Sequence, residues 1–200
     1  MRIIGGRAAR RVLKAPKGLA VRPTPDLVKQ ALFNSLGERV VGARVLELFA
    51  GSGALGLECL SRGAALVVAV EKASRHALMI RQNLAAAQLP RERFALRTQD
   101  VFTALRQLAA AGQQFNLILA DPPFGQKNLG RRSTSLSQTL LDDADLPRLL
   151  APDAWFVLGH AKRDTLTLPA RWRELKALKH GDSVMRFLEP TPCPTVAEAP

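Results

Sequence analysis

Cysteine is nearly missing from this chain. Cys59 and Cys193 are the two in 200 residues, too few and too far apart for a disulfide framework. Neither sits in a CxxC or a Cys/His cluster of zinc spacing, and His76, His160 and His180 are scattered, so no metal centre is expected. No stretch approaches the roughly 18 uncharged apolar residues of a membrane span. The start, Met1-Arg2-Ile3-Ile4-Gly5-Gly6-Arg7, lacks the apolar run of a signal peptide. These absences predict a cytoplasmic protein that spans no membrane. Acidic residues are scarce too: 17 Asp and Glu face 29 Lys and Arg, a net charge of +12. An excess of that size points to a polyanionic partner, nucleic acid or an anionic surface. Hydrophobic residues at 47% and charged residues at 23% exclude a disordered or fibrous chain and suit one globular domain with a sizeable core.

The shortage of acid is sharpest at the start. Residues 1–22 carry Arg2, Arg7, Arg10, Arg11, Lys14, Lys17 and Arg22, and the first carboxylate is Asp26. Short apolar pieces alternating with glycines and cations predict a basic β-hairpin or extended arm over 1–22. Pro23-Thr24-Pro25-Asp26 offers a turn and an N-cap for a helix that Gly37 ends. From residue 43 the texture becomes strand, helix, strand. Strands are expected at 44–48, 66–71, 94–98, 116–120 and 155–159, with helices near 54–62, 73–87, 102–111 and 136–150, the last broken by Pro147. That rhythm implies an α/β fold: a Rossmann-like, mostly parallel sheet covered on both faces. Two final strands near 173–178 and 183–188, separated by His180-Gly181-Asp182, must form a hairpin, which makes the last strand antiparallel. The main domain is thus read as 23–189, and the proline-rich 190–200 as a disordered tail.

Val45–Gly56 reads as strand, tight glycine turn and helix start, with Gly51, Gly53 and Gly56 in a G-x-G-x-x-G pattern and Glu71 at the end of the next strand. On spacing alone this is a dinucleotide fingerprint, so an NAD- or FAD-dependent enzyme stays open. Glu47 weighs against it. Placed in the crevice, its carboxylate would oppose a pyrophosphate but favour the sulfonium and ammonium of S-adenosylmethionine. On that reading the glycines let the backbone approach the cofactor, and Glu71 binds the ribose hydroxyls. Asp100, just past the third strand, accepts from the adenine amine.

The fourth strand runs into Asp121-Pro122-Pro123-Phe124. Two prolines stiffen the turn and leave carbonyls free to accept. The tetrapeptide offers a carboxylate, a carbonyl and an aromatic face together, a set suited to holding both N–H groups of a nucleobase amine while the ring stacks.

Glu47–Gly53 and Asp121–Phe124 resemble the cofactor loop and the [DN]-P-P-[FY] motif of class I amino-methyltransferases. With Met1–Gly6, Arg22-Pro23-Thr24, Ala31–Asn34, Leu48–Gly56, Glu71-Lys72 and Gly181-Asp182-Ser183, the chain is similar over 1–189 to the RsmD family. Those bacterial enzymes methylate the N2 amine of one guanine, guanine 966, in 16S ribosomal RNA. The resemblance implies a seven-stranded sheet and S-adenosylmethionine bound by Glu47, Phe49, Gly51, Ser52, Gly53, Glu71, Lys72, Asp100 and Val101. It implies Asp121, Pro122, Pro123 and Phe124 as the catalytic turn. The substrate it implies is 16S rRNA, within the 30S subunit or an assembly intermediate with ribosomal proteins, for an enzyme acting as a monomer. Contacts to RNA phosphates are expected from Arg2, Arg7, Arg10, Arg11, Lys14 and Arg22, and from Lys127, Arg131 and Arg132 across the base pocket. Removing residues 1–20 is accordingly expected to abolish RNA methylation and leave cofactor affinity nearly intact. Two departures stand out: Phe124 where the family often has Tyr, and Gly159 where many relatives carry Glu. A DNA adenine-N6 methyltransferase, another amino-methyltransferase and a non-catalytic RNA-binding module remain as alternatives.

Overall fold

Strands buried on both faces are apolar almost throughout, and three neighbouring strands here show it. They are β1 (Arg44–Leu48, RVLEL), β2 (Leu66–Val70, LVVAV) and β4 (Phe115–Ala120, FNLILA). The computed structural model describes residues 1–15, 26–124, 128 and 131–191. The helices are α1 (Asp26–Leu36), α2 (Ala54–Ser61), α3 (Ser74–Ala86), α4 (Val101–Ala110) and α5 (Leu136–Asp142). With β3 (Phe94–Arg97), β5 (Leu150–Ala161), β6 (Trp172–His180) and β7 (Ser183–Pro190) the strands form one sheet, ordered β3-β2-β1-β4-β5-β7-β6. β1 pairs in parallel with β2 on one side and β4 on the other. The winding therefore reverses between β1 and β4, and open α/β sheets bind ligands beyond the strand ends at such a point. Among the described residues no helix is long and apolar enough to cross a membrane.

β7 is antiparallel to both neighbours, but it lies between β5 and β6, so β6 forms the sheet edge. β5 begins at Leu150, ahead of the expected Trp155. Phe115 pairs with Leu150 and Leu117 already with Trp155, so residues 151–154 bulge out opposite the single Asn116. Pro152 and Asp153 (φ +59°) fall in that bulge, the kind of place where a strand tolerates proline. The helix expected over 136–150 ends at Asp142. There the Asp143 carboxylate accepts the Asp145 and Leu146 amides and starts a separate 3-10 turn, Leu146–Leu149.

The described part of the basic segment is a hairpin closed by one bridge, Arg2 to Val12, and docked on the domain. Ile3, Ala8 and Leu13 are core residues beside α1 and α2. The buried Glu58 carboxylate accepts the amides of Ile4 (2.7 Å) and Gly5 (2.8 Å), and Ser61 Oγ accepts that of Ala8 (2.9 Å). Lys29, wholly buried, donates to the Arg2 carbonyl and pairs with Asp26. Asp26 opens α1 with its carboxylate on Arg2 and Lys29. The turn Pro23-Thr24-Pro25 read before it, Lys17, Arg22, Lys127 and the tail 192–200 lie outside the described residues.

Candidate active site

Beyond β1 the backbone turns sharply through Phe49 (φ +56°), Gly51 (+58°) and Gly53 (+75°). Two of these are glycines, as left-handed dihedrals favour. Phe49 adopts one at steric cost, and residues held that way gather at binding sites. A Cβ built on Gly51 would meet only the Phe49 carbonyl, at 3.9 Å, so another molecule can lie against this backbone. The other two glycines are packed from within. A Cβ on Gly53 would lie 3.1 Å from Ile80 Cγ2, and one on Gly56 would lie 2.5 Å from Glu47 Oε2 and 2.8 Å from Val67 Cγ1.

A cavity of about 750 Å³ opens over this turn, lined among others by Phe49, Gly51, Glu71, Lys72, Asp100 and Val101, and on the far side by Asp121, Pro122, Pro123 and Phe124. The parallel pairing of β1 and β4 brings these two sequence motifs to one cavity. Glu71 Oε2 accepts the Gly51 amide and Oε1 the Ala73 amide, both at 2.8 Å. Each oxygen keeps a second acceptor position. Asp100 caps α4 through the Phe102 amide at 3.0 Å and faces Lys72 at 3.5 Å. Carboxylates outnumber cations here: Glu71, Asp100, Asp121 and Asp182 against Lys72 and Arg163.

Three residues read as cofactor ligands, Glu47, Ser52 and Gly53, are not among those lining the cavity. Glu47 is buried beneath the turn, where its Oε1 accepts the Leu55 amide at 3.1 Å. Burial pushes its carboxyl up to about 8, against the pull of the Gly56 and Leu55 amides. It fastens the start of α2 and does not face the crevice. Ser52 turns toward the hairpin, its Oγ 3.7 Å from Met1 Sδ. Gly53 is the residue preceding α2, against Ile80.

Other lining residues were not assigned to the site from the sequence, although Asp182 lies in one of the segments that carry the resemblance. Arg163 and Asp182 arrive from the end of β5 and the β6–β7 turn, and His76 from the first turn of α3, 3.5 Å from Glu71. Phe102, edge-on to Phe49 at 6.5 Å, follows directly on Asp100-Val101 and was within reach of the motif. His160 is structural. Nδ1 meets the carbonyls of Ala161 and Asp164, Arg186 Nε donates to Nε2, and burial with the Arg186 charge lowers its pKa.

Among the described residues, the cations expected to meet RNA (Arg2, Arg7, Arg10, Arg11, Lys14, Arg131 and Arg132) are exposed but do not form one patch. Lys14 reaches Gln82 (3.1 Å) and Arg2 pairs with Asp26 (3.0 Å). Arg7, however, binds the Ser61 carbonyl through its amide, at the far end of α2 from the glycine turn. That puts Arg7, Arg10 and Arg11 roughly a helix length, about 12 Å, from the loop. Arg11 and Arg7 border a second cleft of about 380 Å³ with Gln88 and Pro90. Arg132 pairs with Asp142 at 2.6 Å and Arg131 is exposed beside it.

A family described as "Conserved hypothetical protein 95" matches residues 1–189. Ribosomal RNA small subunit methyltransferase D of Escherichia coli (strain K12) is 34% identical over 179 residues, 86% of this chain and 81% of that protein. The protein of the same name from Haemophilus influenzae is 32% identical over 176 residues, 88% and 86% of the two chains. A solved structure of a hypothetical protein from Thermus thermophilus superposes with a TM-score of 0.74 at 29% identity, covering 94% of this chain and 99% of that one.

Proposed function

The chain belongs to the family described as conserved hypothetical protein 95, and from that premise we propose that it methylates the exocyclic N2 amine of a guanine in 16S ribosomal RNA. S-adenosylmethionine is the methyl donor, and the cavity suits it. Gly51 leaves open space for close backbone approach, Glu71 keeps acceptor positions for hydroxyls, and Phe49 and Phe102 supply apolar faces for an adenine. The surplus of carboxylates favours a cationic ligand over a pyrophosphate. When bound, the donor supplies an electrophilic methyl group; the protein's own residues do the rest.

One observation carries the reading: Asp121–Phe124 and the glycine turn line the same cavity, and Phe124 is 37% exposed. A flipped guanine stacks on Phe124, at an unstacking cost of a few kcal/mol. The Asp121 carboxylate and the Pro122 carbonyl each accept one N–H of the amine. That hold draws the nitrogen toward tetrahedral geometry and turns its lone pair to the methyl, so the gain comes from positioning. Asp121 also stabilises the positive charge growing on nitrogen. The proton leaves after transfer, to Asp121 or to water.

The exposed cations of the hairpin and of Arg131 and Arg132 hold the RNA phosphates. The relatives' names support the small-subunit substrate, offered as naked RNA or as a 30S particle. The test supplies radiolabelled S-adenosylmethionine with 30S subunits, 16S RNA, DNA and protein fractions from a deletion strain. Label in 16S RNA, recovered as N2-methylguanosine after digestion, is the expected result. Label in DNA adenine or in protein overturns it.

A further inference from the structure

The hairpin and the glycine turn meet on a single side chain. Asn83, on α3, is 1% exposed. Its Oδ1 accepts the Lys14 amide at 2.8 Å, and its Nδ2 donates to the Lys14 carbonyl at 3.0 Å and to the Ser52 carbonyl at 2.9 Å. A carboxamide supplies one acceptor and two donors in a plane, so Asn83 holds both backbone groups of one hairpin residue and a carbonyl of the cofactor turn together. One turn earlier on the same helix face, Ile80 packs on Gly53. Met1, paired through its carbonyl with the Leu13 amide, sets its sulfur 3.7 Å from Ser52 Oγ. The open end of the hairpin is therefore part of what fixes the turn.

We infer that Asn83 is a positioning residue for the cofactor site, and that the docked N-terminal hairpin sets cofactor affinity through it. The cavity itself does not require this: Asn83 does not line it, and it touches the ligand-facing backbone only through Ser52. The inference runs against the expectation that loss of residues 1–20 leaves cofactor affinity nearly intact. That deletion removes Ile3, Ala8 and Leu13 from the core and the Lys14 partner from Asn83. Coupling of this kind is reciprocal: what the hairpin contributes to cofactor binding, the cofactor returns to hairpin docking.

The inference rests on the S-adenosylmethionine reading, and the experiment separates the two. The full chain is titrated calorimetrically with S-adenosylhomocysteine as wild type, Asn83→Ala and Ser61→Ala. Ser61 anchors the same hairpin at its other end, through Ala8 and Gly5, and serves as the control for losing one hairpin hydrogen-bond anchor that does not touch the cofactor turn. Asn83→Ala is expected to raise Kd about five- to tenfold, the scale of one or two lost hydrogen bonds, and to speed amide exchange at residues 52–54 in the ligand-free protein. Ser61→Ala is expected to lower Tm with Kd changed less than about twofold on the same reasoning. Independently of any variant, adding S-adenosylhomocysteine to wild type is expected to slow exchange of the Leu13 and Lys14 amides. Equal Kd in wild type and Asn83→Ala, or hairpin exchange indifferent to ligand, overturns the inference alone. A wild-type protein that binds no S-adenosylhomocysteine overturns the cofactor reading and the inference with it.

Discussion

The carboxylate of Asp121 lies against the backbone of Gly159: a Cβ built on that glycine would be 2.3 Å from Asp121 Oδ1 and 3.2 Å from Met185 Sδ. Asp121 begins the turn after β4, and Gly159 sits on the adjacent β5, where Ser137 Oγ donates to its carbonyl at 3.3 Å. Where the family resemblance implies a glutamate in many relatives, this chain leaves room for the Asp121 side chain.

Gly159→Ala is therefore expected to act through Asp121. The methyl group displaces the carboxylate from the base-binding turn, and displacements of about 1 Å can cost a hundredfold in rate. Asp121→Ala, which removes the charge outright, is expected to cut kcat by at least about a hundredfold. Both variants should bind S-adenosylhomocysteine within about twofold of wild type, since neither touches the glycine turn. Single-turnover rates and calorimetry on the same preparations check the pair. A Gly159→Ala enzyme at wild-type rate would show that the contact is packing alone.

Glu47 makes the protein's stability pH-dependent in a defined direction. Burial raises its pKa from 4.5 to about 8, so the folded chain keeps a proton there that the unfolded chain has lost. The contribution is complete below about pH 4.5 and declines as pH rises toward 8. Denaturation midpoints measured from about pH 5 to 8 should fall, and Glu47→Gln, neutral throughout, should remove that part of the slope. Gly56→Ala attacks the same contact by crowding Glu47 and Val67 and is expected to cost about 1–3 kcal/mol at any pH.

Motifs whose parts are close in sequence were legible, and their burial was not. The strand starts at Arg44, Leu66 and Phe94 follow from apolar runs bounded by turns, because parallel strands leave that imprint. Gly51 and Asp121–Phe124 could be assigned to one cavity because strand order puts consecutive βα turns at one edge. The burial of Glu47 was not legible. A carboxylate in a strand looks like a ligand, and nothing local reveals that Gly56, further along the chain, is packed on its oxygen. Asp182 reaches the cavity because β7 lies antiparallel beside β5, with Ser183 opposite Ala161, a tertiary pairing no local pattern shows.

The split among the hairpin cations yields a graded result. Arg7, Arg10 and Arg11 stand at the hairpin end away from the glycine turn and are exposed. Each change to Gln should weaken RNA binding and reduce the salt slope by roughly 0.7–0.9. Cofactor affinity should stay constant, in contrast to Asn83→Ala. Filter binding across about 50–300 mM salt, the range in which phosphate contacts show, separates the two classes. A slope unchanged in the triple variant would mean the RNA runs over another face.

Phe124 tests whether a base is held at all. Its ring is 37% exposed at the cavity rim, next to two prolines that fix the turn's direction. A large apolar ring left partly in water at the mouth of the cavity proposed to hold S-adenosylmethionine suits a second flat partner. Phe124→Ala should lose about 1–3 kcal/mol of stacking, seen as a higher KM for RNA and a lower kcat, because an unstacked base no longer presents its amine to Asp121. Phe124→Tyr keeps the face and should stay active, while Phe124→Leu keeps the apolar contact and loses the stacking. Burial of apolar surface alone would make Leu nearly as good as Phe; stacking makes Tyr good and Leu poor. The ranking Phe ≈ Tyr > Leu > Ala in single-turnover rate is the expected outcome, and equal rates for Leu and Tyr would remove stacking from the mechanism.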